Sequence, residues 1–178
     1  MEKEELNDII LRIQKKDTKA LEKIYNDMKG CVYGLAYVYT KSHSDSEDIV
    51  QNTFLRVWSK ADTYKKDNPK AWIMTIARNL SIDNINQGKR FTELDENIRT
   101  DDCYSKITDT DMLNTLLSTL EETEREIVIL YSYGFSHSEI AKITSKPYAT
   151  VRWKYSNAIK KLIKISGGEN NDWEKYSW

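Results

Sequence analysis

Apolar residues recur along this chain in steps of three and four, in stretches separated by short polar segments. That is the period of amphipathic helices, not of strands. The first stretch, residues 4–15, places Leu6, Ile9, Ile10 and Ile13 on one face. Asp17 or Thr18 is positioned to cap a second, whose stripe runs through Leu21, Ile24, Tyr25, Met28, Val32, Leu35, Ala36 and Tyr39. Ser44, Asp45, Ser46 and Glu47 read as a third helix start, with acids near the positive end of the dipole. That helix runs to about Lys60, with Ile49, Val50, Phe54, Val57 and Trp58 inward. After a polar loop over 64–68, Pro69 suits the first turn of a fourth helix, carrying Trp72, Ile73, Ile76, Ala77, Leu80, Ile82 and Ile85 and ending near Gly88.

From Lys89 to about Thr110 the periodicity fails and polar, acidic residues take over, which predicts a flexible linker. Beyond it Met112, Leu113, Leu116, Leu117 and Leu120 begin a second helical set. The run T-E-R-E from Thr123 to Glu126 reads as a capping box for a helix through Ile127, Val128, Leu130 and Tyr131. Gly134 ends that helix, Ser136 caps the next, Pro147 separates it from the last, and Gly167-Gly168 stops the last one. The fold class expected is all-α: two small helical domains joined by a flexible linker. Their boundaries are drawn at 1–90, 91–110, 111–166 and a tail over 167–178.

The segment FSHSEIAKITSKPYATVRWKYSNAIKKL fits a helix-turn-helix, making the C-terminal domain a candidate DNA reader. Ala141 is the small residue where two helices cross, and Ser145-Lys146 occupies the turn. Ile140, Ile143, Val151, Tyr155, Ala158 and Leu162 face inward, leaving Tyr148, Thr150, Arg152, Trp153 and Asn157 outward. An amphipathic helical hairpin with a solvated basic face has the same pattern. Trp153 suits either stacking on DNA or packing on a neighbouring helix.

Charge distribution sharpens the DNA reading. The formal net charge of the 178 residues is −1, which by itself does not suggest a nucleic-acid binder. Yet residues 142–165 carry Lys142, Lys146, Arg152, Lys154, Lys160, Lys161 and Lys164 without one acid, whereas acids dominate residues 91–126. A basic end beside an acidic middle creates a local phosphate-attracting field that the sum conceals.

In the N-terminal domain, the third helix leaves Glu47, Asp48, Gln51 and Asn52 outward, a surface suited to a basic protein helix. The fourth exposes Arg78, Asn79, Asp83, Asn84, Asn86 and Gln87, whose amides can read base edges while arginine holds phosphate. Trp58 and Trp72 sit on apolar faces and read as core, while Tyr64 in its polar loop is open to either role.

Taken in order, DSEDIVQNTF, AWIMTIARNLSID, and EREIVILY followed by EIA and PYATVR resemble the extracytoplasmic-function group of the bacterial sigma-70 family, across about Leu11 to Ile165. The resemblance implies that Glu47, Asp48, Gln51 and Asn52 face the clamp helices of core RNA polymerase. It implies that Tyr64, Lys65, Lys66, Asn68 and Lys70 capture a flipped base of the −10 element, with Arg78, Asn79, Asp83 and Asn86 along its upstream edge. Tyr148, Thr150, Arg152, Trp153, Lys154 and Asn157 would enter the −35 major groove. Core polymerase, promoter DNA and an anti-sigma factor are the partners it implies. The chain departs from the family pattern at Asn84, Asn86 and Gln87, where arginines are usual, at Ser145, at bulky Trp153 and at Asn52.

Other functions find little support. Cys31 and Cys103 stand apart with no CxxC, and His43 and His137 are isolated, so no metal site, cofactor or disulfide is expected. P-loop, HExxH and GxSxG signatures are missing, so the chain reads as non-enzymatic. No apolar run approaches the roughly 18 residues of a membrane span, and MEKEELNDII has no signal-peptide h-region. A cytoplasmic protein without membrane insertion is expected. A stand-alone helix-turn-helix regulator and a pure interaction protein are the two alternatives.

Overall fold

A computed structural model describes residues 3–65, 67–92 and 117–165. Helix α1 (Lys3–Gln14) buries Leu6, Ile9, Ile10 and Ile13, the four positions of the first stripe. Asp17 caps α2 (Thr18–Thr40) by accepting from the N–H groups of Lys19 and Ala20 at 2.9 and 3.2 Å. Helix α3 (His43–Lys60) begins slightly earlier than expected because Ser42, not Ser44, is its cap. Ser46 is thereby placed within the first turns, where its buried hydroxyl meets Thr40 and the Ser42 carbonyl.

A single 3₁₀ turn (Ala61–Thr63) leads to α4 (Pro69–Thr92), whose first turn is capped by Asn68 accepting from Ala71 N–H at 3.0 Å. The expected stop near Gly88 is not where the helix ends. A glycine inside a helix costs about 1 kcal/mol but terminates it only when it adopts a left-handed cap. The boundary drawn at residue 90 therefore falls inside α4. Helices α2, α3 and α4 pack on one another, with α1 laid against α2 and α4.

The second set comprises α5 (Glu122–Ser132), α6 (His137–Thr144) and α7 (Tyr148–Ile165). The capping box expected at Thr123 and Glu126 is displaced by two residues toward the N-terminus, to Glu121 and Glu124. Glu124 instead reaches back to the Glu121 N–H at 3.1 Å, which leaves Glu126 inside the helix. Gly134 takes φ +85° in the turn after α5, and Ser136 with Glu139 forms the box that starts α6. Ser145 turns the chain into α7 from a left-handed conformation (φ 53°). Leu120 is buried, whereas the linker, Cys103, Met112, Leu113, Leu116 and the tail lie outside the described residues.

All described elements are helical, in agreement with the expected class. The two sets also touch: α5 lies on α2, and α6 on α4. Ile127, Leu130, Phe135, Ile140 and Ile143 thus join the same apolar core as Val32, Leu35, Met74 and Ala77.

Candidate nucleic-acid and protein interfaces

Three surfaces carry the residues singled out in the sequence. The first is the outer face of α3, where Glu47, Asp48, Gln51 and Asn52 are all exposed. One turn further, Leu55 stands 63% exposed. It borders a shallow apolar groove of about 370 Å³ lined by Leu21, Tyr25, Phe54 and Leu55, with Thr18, Glu22 and Gln51 around it. Tyr25 meets Phe54 edge-to-face with centroids 5.0 Å apart, which fixes the groove floor. Sequence reasoning missed Leu55. The signal was there: it lies four residues after Gln51, so a large apolar side chain shares the polar outer face.

The second surface is the 64–68 loop and α4, and here the assigned residues divide. Lys65 is exposed, as are Asn79, Asp83 and Asn86 along α4, while Lys66 lies outside the described residues. Lys70 is half-buried and lines a polar cleft of about 410 Å³ with Glu5, Lys23, Asp27 and Met28. Tyr64 is turned inward rather than outward. Its ring is buried 5.2 Å from that of Trp72, and its hydroxyl donates to Asn7 Oδ1 at 2.6 Å. Burial pushes its pKa up to about 12, and the Asp67 charge adds to this. A polar partner 57 residues away lets this loop tyrosine act as a core anchor.

Two further residues of this surface are held by the second helical set. Asn68 donates its amide to Glu139 at 2.5 Å. Arg78 donates Nε to Glu126 at 2.6 Å, with side-chain exposures of 17% and 2%. Burial works against the Arg78 charge, but Glu126 and the hydrogen-bonded Tyr39 outweigh it, so the guanidinium holds its proton more tightly than usual. Burial raises the Tyr39 pKa, and Glu126 raises it further, leaving a neutral hydroxyl bonded to the carboxylate. At Glu139, burial is outweighed by hydrogen bonds from Ser136 and Asn68, and the carboxyl sits below its usual range. Glu126 was assigned to a cap in the sequence. A better signal was its place on the buried stripe beside Ile127 and Leu130, where an acid needs a partner.

The third surface is the helix-turn-helix. Tyr148 is 49% and Trp153 61% exposed, and Arg152 also faces solvent. Trp153 therefore does not pack into a neighbouring helix. Thr150, Asn157 and Lys154 are half-buried, and Lys154 is paired with Glu121 at 2.8 Å. Inward, His137 sits among Tyr131, Tyr155 and Tyr148, and its buried Nε2 has no hydrogen-bond partner. Burial, then the Arg152 charge, lowers its pKa.

The remaining candidates are structural. Trp58 and Trp72 pack against the core, and Lys16 lies 5.2 Å over the Trp58 ring. Burial raises the Cys31 thiol to about 12, and its sulfur contacts that of Met74 at 3.5 Å. His43 bonds to the Tyr33 hydroxyl. Among the described residues no three His, Cys, Asp or Glu side chains converge on a metal-sized site, and no helix is long and apolar enough to cross a membrane.

Comparison with known proteins gives a consistent set of matches. Residues 24–91 match the family model for sigma-70 region 2, and residues 110–162 that for sigma-70 region 4. The chain is 22% identical to the ECF RNA polymerase sigma factor SigK of Mycobacterium sp. (strain JLS), covering 90% of each chain. It is 23% identical to SigK of Mycolicibacterium vanbaalenii, covering 92% of this chain and 90% of the relative. Among solved structures it is similar in fold to the sigma factor RpoE in complex with the anti-sigma factor NepR from Bartonella quintana. The TM-score is 0.73 and the identity 23%, over 84% of this chain and 98% of that one. CnrH in complex with the cytosolic domain of CnrY gives a TM-score of 0.69 at 19% identity, covering 90% and 96%.

Proposed function

The chain belongs to the extracytoplasmic-function group of the sigma-70 family, and from that premise we propose how its three surfaces divide the work of transcription initiation. It acts as an alternative sigma factor: it joins core RNA polymerase, selects promoters at their −35 and −10 elements, and assists their opening. It supplies recognition and positioning, and the bond-forming chemistry stays with the polymerase. Its place is the cytoplasm, where the polymerase and the chromosome are.

The outer face of α3 is the polymerase contact. Glu47, Asp48, Gln51 and Asn52 offer carboxylates and amides to a basic helical partner, and Leu55 with its groove offers the apolar anchor that a hot spot needs. Residues 1–90 carry this contact and the −10 element. Lys65, Lys66 and Lys70 supply phosphate contacts there, and Asn79, Asp83 and Asn86 the amide and carboxylate groups along its upstream edge. Tyr64 acts from below, holding the loop in shape. Residues 111–166 present α7 to the −35 major groove, with Tyr148, Thr150, Arg152, Trp153, Lys154 and Asn157 on the approaching side. Lys154 must exchange Glu121 for phosphate as it docks. The segment 91–110 joins the two parts, the tail 167–178 follows, and an anti-sigma factor is the regulatory partner.

The observation that carries this reading is the pairing, in one chain, of an exposed acidic-amide-apolar helix face with a helix-turn-helix whose turn and last helix, residues 142–165, contain no acid. Gel filtration with purified core polymerase tests it. Co-elution is expected, and loss of co-elution on Asp48→Lys. Failure to co-elute, with duplex DNA binding intact, would instead leave a stand-alone helix-turn-helix regulator.

A further inference from the structure

Helix α7 buries Val151, Tyr155 and Ala158, a stripe in steps of three and four that fixes how the helix is turned. The positions opposite that stripe are Ala149, Trp153, Lys160 and Lys164, and all four are exposed. Arg152 and Tyr148 flank this line on one side, and the half-buried Thr150 and Asn157 on the other. Trp153 thus stands at the centre of the outward face. At 61% exposure it is the most exposed large apolar side chain among the described residues of the second helical set.

The face changes character along its length. Its N-terminal half is apolar, Ala149 then Trp153, and its C-terminal half is cationic, Lys160 then Lys164. Recognition helices meet base edges with their N-terminal residues, while lysines hold phosphate. Docked in that way, α7 lays its apolar half over bases and its cationic half on the backbone.

What an indole can read there is limited. Its one polar group, Nε1–H, donates and cannot accept. Every base pair offers a major-groove acceptor, so that donor discriminates little, whereas the C5 methyl belongs to thymine alone. Long helical side chains lean over the turn before them, which for Trp153 is the turn of Ala149. Alanine leaves that space open, and its own methyl is a further apolar contact for thymine. Lys154 adds a weak hold on the ring, its Nζ 5.9 Å from the indole centroid. We infer that Trp153, with Ala149 one turn before it, reads thymine C5 methyl groups and is a specificity-determining residue of the −35 interaction. This role presupposes that α7 is the −35 helix and says what that helix selects. Over cytosine the same ring meets the N4 donor, cannot accept from it and strips away its water, so attraction to thymine becomes discrimination.

Deoxyuridine in place of thymidine removes the methyl and leaves the base pairing intact. Promoters fired by core polymerase with the full chain supply the −35 sequences. Holoenzyme binding is then titrated on duplexes carrying deoxyuridine at each −35 thymine in turn. A loss of about fourfold is expected at one or more of these positions, the scale of one buried methyl. Trp153→Ser, its fold certified by circular dichroism, is expected to bind thymine and deoxyuridine duplexes alike. Arg152→Ala is expected to keep the deoxyuridine penalty. A wild type indifferent to deoxyuridine throughout, a −35 element without thymine on either strand, or an equal penalty in Trp153→Ser overturns the inference. If scrambling the −35 element still weakens binding in such a case, α7 remains the −35 helix and only the thymine assignment falls. Scrambling that changes nothing removes the −35 role of α7, and the thymine assignment with it.

Discussion

The outer face of α3 and the corresponding face of α4 look alike in sequence: each places acids, amides or arginine opposite an apolar stripe. In the folded chain they part company. Glu47, Asp48, Gln51 and Asn52 meet solvent beside an apolar groove, while Arg78 and Asn68 are taken by Glu126 and Glu139 of the second helical set. A helical register tells which side chains leave their own helix bundle. Whether they then meet water or another part of the chain depends on tertiary placement. The first face is available to a partner throughout, whereas on the second Asn79, Asp83 and Asn86 are exposed but Arg78 and Asn68 are held by intramolecular partners.

The largest expected effect lies on the open face. Leu55→Glu puts a charge at the groove without touching the core and is expected to weaken core polymerase binding by about 30-fold or more, the scale of a hot-spot residue. Titration by fluorescence anisotropy measures it, and an unchanged affinity would remove the apolar anchor from the polymerase contact. Next comes the helix-turn-helix. Arg152→Ala is expected to cost about 1–3 kcal/mol of binding to −35 duplex and to make the salt dependence shallower by about one unit. A loss confined to stability, with the salt slope intact, would make the basic face merely a solvated one.

Tyr64→Phe separates anchoring from DNA contact on the closed side. Removing the hydroxyl leaves Asn7 without its buried partner, and a stability loss of about 1–2 kcal/mol in urea denaturation is expected. Promoter binding should change little. A loss of −10 binding with unchanged stability would turn Tyr64 back into a DNA contact.

A smaller effect concerns pH. His137 titrates below its ordinary value of 6.5 in the folded chain because of burial and the Arg152 charge. The unfolded chain therefore takes up the proton first as pH falls. Stability of the helix-turn-helix set is full above about 6.5 and is lost as pH drops from there through the lower folded value. Melting curves at about pH 7.5 and about pH 5.5 should differ for the wild type and converge for His137→Phe.

Local signals made much of this legible. The stripe at Leu6, Ile9, Ile10 and Ile13, the cap at Asp17, the helix start at Pro69 and the cap at Ser136 each depend on residues within a turn or two, and each stands in the structure. What the sequence hid was long-range. Tyr64 turns inward because Asn7 waits for its hydroxyl, and Glu126 is buried because Arg78 comes to meet it. Two local readings also gave way to competing local choices. Glu124 took the capping role assigned to Glu126, and α4 ran through Gly88 because that residue did not adopt a terminating conformation. Ser145 shows a tolerated departure, a non-glycine residue held left-handed at the turn before α7.

Run-off transcription with purified core polymerase on a genomic fragment library tests the assignment most directly. Addition of the chain is expected to yield discrete transcripts from promoters sharing spaced −35 and −10 elements, and Asp48→Lys is expected to abolish them. Core enzyme that gives the same transcripts with and without the chain would contradict it.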